Sequence, residues 1–138
     1  MTVQFNTDPQ PFGPDRTPFD AIGGEDRVRA LTDAFYDLMD EHERYAHLRA
    51  LHDDDLAESR DKLFMFLCGW MGGPQLYIER FGHPRLRMRH AHVPINEQGV
   101  SEWLACMGEA MDSLGVYGDL RAFLDARFAH TANFMRNA

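Results

Sequence analysis

The chain has no apolar run approaching the length needed to cross a bilayer, and its first residues lack the basic-then-apolar pattern of a secretory leader. The expectation is a cytoplasmic protein with no membrane partner. Cysteine is scarce: Cys68 and Cys106 are the two present, each inside an apolar helical pattern. Such placement reads as small core side chains rather than a disulfide. Positive charge is also short, with 14 Lys and Arg against 22 Asp and Glu and a net charge of −8. A field of that sign argues against nucleic acid as a general partner, because phosphate backbones attract basic surfaces. No strand pattern, internal repeat or low-complexity segment occurs. A His-Glu-x-x-His motif is missing, as are the repeated Glu-x-x-His motifs of a di-iron bundle. A metal site built wholly from protein ligands is set aside on those grounds.

What is present is a chain of 138 residues, 44% of them hydrophobic. That suffices for one domain that buries roughly two thirds of its unfolded surface. Residues 1–18 hold four of the seven prolines and no apolar periodicity. They read as a flexible extension, with Pro18-Phe19 as its last anchor, ahead of a domain over residues 19–138. Val28, Leu31, Phe35, Leu38 and Met39 recur at spacings of three and four, which predicts a helix over about 25–41. Its polar face, with Arg27, Asp33, Asp37 and Glu41, reads as solvated surface. Residues 42–53 read as a polar connection, and Asp53, Asp54 and Asp55 as acidic caps for a second helix. Leu56, Leu63, Phe64, Leu67, Trp70 and Met71 give that helix a wide apolar face, and Gly72-Gly73-Pro74 ends it. Residues 74–95 lack sustained periodicity, apart from a short helix between Pro84 and His90. A third helix carries Val100, Trp103, Leu104, Met107, Met111 and Leu114 before Gly115 breaks it, and a fourth runs over about 119–136. The fold class is all-α.

The stretch from Gly82 to Ile95 concentrates three of the seven histidines and three arginines. With Arg80, four of the fourteen cationic residues fall within ten positions. A cofactor that brings its own four in-plane ligands asks the protein for one histidine, an apolar slot and cationic groups at the rim. Haem is such a cofactor, with two propionates at its edge. The flanking apolar helices meet the second need and the arginines the third. These residues permit a haem site without demanding one. A non-haem helical interaction domain, in which His90 and the arginines recognise an acidic partner, fits the same pattern.

Several motifs carry a resemblance. They are Ile22-Gly23-Gly24, the Arg29-x-Leu31-x-x-x-Phe35-Tyr36 run, and Lys62-Leu63-x-x-Phe66-Leu67. Further on come Gly72-Gly73-Pro74-x-x-Tyr77, Gly82-His83-Pro84-x-Leu86-Arg87-x-Arg89-His90, and Trp103-Leu104-x-Cys106-Met107. Together they make residues 19–136 similar to the group II truncated haemoglobins. The resemblance implies a shortened globin, a two-over-two α-helical sandwich around haem b. On it, His90 matches the proximal iron ligand. His92 is the competitor two residues on, in a place where the family usually has Pro-Phe and this chain has His92-Val93. The family's Arg-Asp pair, a local salt-bridge element, is replaced by Val100-Ser101.

On the distal side the resemblance implies that Tyr36 points a hydroxyl at bound ligand and that Trp103 offers an indole N–H. Taken alone, each is an ordinary core aromatic. His52 falls where relatives vary, and is either a member of that network or a solvent-facing loop histidine. Ser59 and Leu63 match the positions that control access to the iron; neither is a histidine, so the iron keeps an open position. Lys62 and Arg89 match propionate contacts, with Tyr77 and Arg87 as weaker ones and Phe66 on the same apolar face. For Arg87 ordinary surface charge is the preferred reading.

The expected function is binding of O₂, NO, CO or peroxide. Three donors near the ligand would hold O₂ tightly, which suits NO oxidation, peroxide chemistry or sensing better than bulk oxygen transport. A peroxidase or NO dioxygenase needs an external reductant, hence a possible reductase partner. Monomer and homodimer are both compatible with the sequence.

Overall fold

The structure, a computed structural model, describes residues 12–138. Residues 1–11 of the expected extension therefore lie outside the described residues. Residues 12–17 form a tight turn closed by paired hydrogen bonds between Gly13 and Arg16, and Phe12 is buried with its ring 4.9 Å from that of Phe123. The helices are α1 (Pro18–Ile22), α2 (Glu25–Glu41), α3 (Ala46–Ala50), α4 (Ala57–Trp70), α5 (Leu76–Phe81), α6 (Leu86–Arg89), α7 (Glu97–Ser113) and α8 (Gly118–Met135). A 3-10 turn at Glu43–Tyr45 precedes α3.

The four long helices sit where apolar periodicity predicts them. α2 packs on α4 and on α7, and α7 packs on α8, giving two helix pairs joined through α2 and α7. Val28, Leu31, Phe35 and Met39 of α2 meet Leu67, Cys68 and Met71, together with Cys106, Met107, Ala110 and Met111 of α7 and Leu124 and Phe128 of α8. Met39, Met71, Met107 and Met111 are all fully buried; their unbranched side chains fill irregular gaps between crossing helices. Both cysteines are buried and unpaired, as core residues, and burial pushes their thiols up, Cys68 to about 11 and Cys106 to about 12.

The helix ends follow local chemistry. Thr17 caps α1 by accepting the Asp20 amide at 3.0 Å, and Asn96 caps α7 by accepting that of Gly99 at 2.9 Å. Asp55 accepts the Ala57 amide at 2.9 Å, as the acidic run before α4 predicts, but Asp53 and Asp54 serve differently: their carbonyls accept from Arg49. Gly23-Gly24 closes α1 and opens α2, and Gly72-Gly73 lets the end of α4 meet the start of α1 at Thr17 and Phe19. Gly23 ends α1 at φ 116°, a left-handed conformation costly for other residues. At Gly73 a Cβ would lie 2.5 Å from the Phe19 ring, so only glycine admits that ring; the Phe19 amide donates to Met71 at 3.0 Å.

Three expectations differ from the structure. The polar connection over 42–53 contains α3 and the 3-10 turn, because Tyr45 and Leu48 are buried against α7. The aperiodic stretch over 74–95 contains α5 besides the expected α6; a helix of six residues is too short to display a period. Finally, the outer face of α2 is not idle. Arg27 donates to the Leu114 carbonyl at 2.6 Å, and Asp33 and Asp37 together hold Arg60 of α4.

Candidate functional site

α6 is a helix of four residues introduced by a strained turn. Arg85 stands at φ 45°, a left-handed backbone that L side chains adopt at some cost. Its amide donates to His83 Nδ1 at 3.1 Å. The turn is held from the other end by Arg89, whose guanidinium donates to the carbonyls of Phe81 (3.2 Å) and His83 (3.3 Å). His90 closes the helix, and its Nδ1 lies 2.8 Å from the Leu86 carbonyl. A carbonyl only accepts, so Nδ1 carries the proton and Nε2 keeps its lone pair. That is the tautomer and outer-shell bond that a metal-ligating imidazole ordinarily has. His92 is exposed and has no such partner among the described residues.

α6 packs on α8 and not closely on α4. Between them α4 presents Ser59, Leu63 and Phe66, which recur at three and four residues and lie on one helical face; all three are half-buried. Beyond α4 lies a continuous aromatic row. Tyr36 is 5% exposed, its ring 5.1 Å and edge-on to Phe35. Phe35 is 5.2 Å from Trp103, and Trp103 is 5.3 Å from Phe128. His52 stands edge-on to Tyr36 at 5.8 Å. The structure thus brings Tyr36, His52 and Trp103 together.

The polar atoms in this cluster are unevenly satisfied. Among the described residues the Tyr36 hydroxyl and the Trp103 indole N–H have no hydrogen-bond partner. Both keep some accessible surface, unlike His47 Nε2, which is enclosed and also unpartnered. Tyr36 and Trp103 thus each carry a donor that no described protein atom engages, open to solvent or to a bound molecule. Burial pushes the Tyr36 phenol up despite the opposing influence of Arg60, so it remains a protonated donor. His52 places Nδ1 at 2.9 Å from the Leu48 carbonyl, which leaves Nε2 as an acceptor. Burial first, with Arg49 and His90 as lesser causes, lowers its pKa from 6.5, so the ring is neutral at neutral pH.

At one edge of the slot Tyr77 joins Phe66 (6.3 Å) and Phe81 (4.9 Å). Arg89 lies 5.7 Å over Tyr77, and Lys62 lies 5.4 Å over Phe81 while pairing with Glu58 at 3.0 Å. Lys62, Arg89, Tyr77 and Phe66 therefore share one corner. Arg87 does not join them; it lies 5.5 Å over Phe134 of α8. A cavity of about 480 Å³, lined by Arg29, Asp61, Phe64, Met65, Leu76, Glu79 and Arg80, contains none of the expected site residues. One of about 100 Å³ touches the corner at Phe66 and Tyr77.

Arg60 is the residue that sequence reading passes over. It donates to Asp33 (3.1 Å) and Asp37 (2.7 Å) and lies 5.7 Å over the Tyr36 ring, fixing α4 to α2 beside the free hydroxyl. The available signal is the Asp33–Asp37 spacing, since carboxylates four apart on a helix can grip one guanidinium.

The requirements of a haem are met by these residues. There is one histidine with a free Nε2, an apolar face on α4, a cationic corner, and a pair of donors without a described protein partner. Comparison with known proteins agrees. The sequence profile described as bacterial-like globin matches residues 17–137. The chain is 41% identical to the group 2 truncated hemoglobin YjbI of Bacillus subtilis (strain 168) over 120 residues, 87% of this chain and 88% of that protein. The structure is similar to that of a group II 2-on-2 hemoglobin from Agrobacterium tumefaciens, with a TM-score of 0.85, 43% identity, and 88% of this chain and 94% of that one covered. It is also similar to a truncated oxygen-avid haemoglobin from Bacillus subtilis, with a TM-score of 0.81, 40% identity, and coverage of 88% and 99%.

Proposed function

The chain belongs to the bacterial-like globin family and is a haem-binding globin; from that premise we propose that it binds haem b through His90 and holds O₂ tightly, taking NO and CO at the same position. Haem, when bound, would supply an iron able to take a diatomic ligand. His90 offers a neutral imidazole oriented by the Leu86 carbonyl, with Nε2 unprotonated. Lys62 and Arg89 stand ready to pair with the propionates, and both side chains already rest on the aromatic rings of that corner. For Arg87 the contact with Phe134 supports a surface role instead.

Tyr36 would donate toward such a ligand, and Trp103 would offer a second N–H. His52 Nε2 is an acceptor, so it would hold a water beside the site rather than add a donor, and the single hydrogen of the Tyr36 hydroxyl is left for the ligand. Ser59 and Leu63 carry no imidazole, so α4 supplies no second iron ligand. The observation that carries the reading is the unpartnered hydroxyl of the buried Tyr36. A donor without a protein partner is free for a ligand that draws negative charge, and it slows that ligand's departure. Tight retention also fits the similarity to a Bacillus subtilis haemoglobin described as oxygen-avid.

Hemin titration tests the proximal half of this reading. Purified chain is expected to take up one hemin and develop an intense absorption band at the blue edge of the visible. His90→Ala should lose or greatly weaken that uptake, and His92→Ala should retain it. A colourless protein, or loss with His92→Ala alone, would overturn the assignment.

A further inference from the structure

Between His90 and α7 the chain runs from Ala91 to Ile95 without regular structure, and Val93 donates its amide back to the His90 carbonyl at 2.9 Å. This linker is pinned from outside by a single side chain. Asn137, two residues beyond α8, donates its amide Nδ2 to the carbonyls of His90 (3.3 Å) and Val93 (3.0 Å). Its Oδ1 accepts the Ile95 amide at 2.9 Å. The backbone amides of Asn137 and Ala138 both donate to the Ile95 carbonyl, at 2.9 and 3.1 Å. One asparagine thus satisfies both its amide hydrogens and its oxygen on the backbone of the linker, using donors and acceptor together.

We propose that Asn137 is a positioning residue for His90: it fixes the backbone carbonyl of the histidine and the linker behind it, and so sets the direction of the imidazole toward the iron. The proposal rests on His90 being the iron ligand. Two bonds of different origin act on that residue. The Leu86 carbonyl fixes the ring about its Nδ1 side, and Asn137 fixes the main chain from which the ring hangs. α6 is too short to do this alone, since its four residues leave the His90 carbonyl with the turn bond from the Val93 amide, to which Asn137 adds a second. At the far end of the linker, Val100 and Ser101 in the first turn of α7 carry no charge with which to tether it. Asn137 supplies the tether from beyond α8.

Asn137→Ala, made in the full chain and loaded with hemin, tests the proposal. Hemin loss to an excess of a scavenging apoprotein is expected to run about 10-fold faster, the lower end of the effect of removing an outer-shell partner of a metal-bound histidine. The iron–imidazole stretching band of the ferrous protein is expected to shift or broaden, which a merely structural loss would not produce. Asn137→Asp keeps the acceptor for Ile95 but loses both donors to His90 and Val93, so it should behave like Asn137→Ala in the spectrum. Unchanged hemin loss and an unchanged band in Asn137→Ala would overturn the proposal while leaving the haem reading intact. A wild-type spectrum without a histidine–iron band, unaltered by His90→Ala, would instead remove the premise.

Discussion

On one side of the proposed haem site His90 ends a four-residue helix among exposed neighbours, Met88 being 60% exposed. On the other, Tyr36 and Trp103 ride on two 17-residue helices whose inner residues, such as Phe35 and Met107, have no exposed surface. The proximal side is held by hydrogen bonds to backbone: Arg89 on Phe81 and His83, His90 on Leu86, and Asn137 across the linker. The Tyr36 side is held mainly by ring packing, with Arg60 tying α4 to α2 beside it, and leaves the Tyr36 and Trp103 donors without a described protein partner. Each arrangement suits the role proposed for it. An iron ligand needs a fixed direction and tautomer, which backbone hydrogen bonds supply. A ligand-facing donor must be left without a protein partner, so packing rather than bonding has to hold it in place.

That contrast predicts unequal responses to truncation. Phe35→Ala removes a ring in contact with both Tyr36 and Trp103 and should cost roughly 3–5 kcal/mol of unfolding free energy. Asn96→Ala should cost about 1 kcal/mol by uncapping α7, which carries Trp103. Met88→Ala on α6 should cost less than about 0.5 kcal/mol, as exposed substitutions do. Denaturant unfolding of the three variants checks this order, and similar costs for Phe35→Ala and Met88→Ala would erase the distinction between the two sides.

The smallest effect concerns His52. Its folded pKa is depressed by burial, so the unfolded chain takes up the proton first as pH falls. Stability from this group is present above its ordinary pKa of 6.5 and declines as pH drops below that value. Once protonated, Nε2 changes from acceptor to donor, and O₂ dissociation should slow by a few-fold below that range. His52→Phe should abolish this pH dependence; if it persists, another group is responsible.

The fold is largely readable from the chain because four long helices repeat their apolar residues often enough for a period to emerge. α3 and α5 are not, since five or six residues display no period and Tyr45 and Leu48 are buried only once α2 and α7 pack around them. Residues of the site fall into two kinds. His90, Tyr36 and Trp103 are named by family motif, and their spacing alone does not separate them from ordinary core or surface residues. Arg60 and Asn137 act through partners 23 to 47 positions away. Such contacts are fixed by how α4 meets α2 and how the chain beyond α8 meets the linker, which local sequence does not encode.

The most direct test of the distal side is the O₂ dissociation rate of the hemin-loaded, reduced protein against that of Tyr36→Phe. The substitution removes the free hydroxyl and keeps the ring packed on Phe35. Loss of a donor hydrogen bond to a ligand bearing charge is worth about 1.5–3 kcal/mol, so dissociation should accelerate roughly ten- to hundredfold. An unchanged rate would contradict the assignment of Tyr36 and shift the retention of O₂ to Trp103.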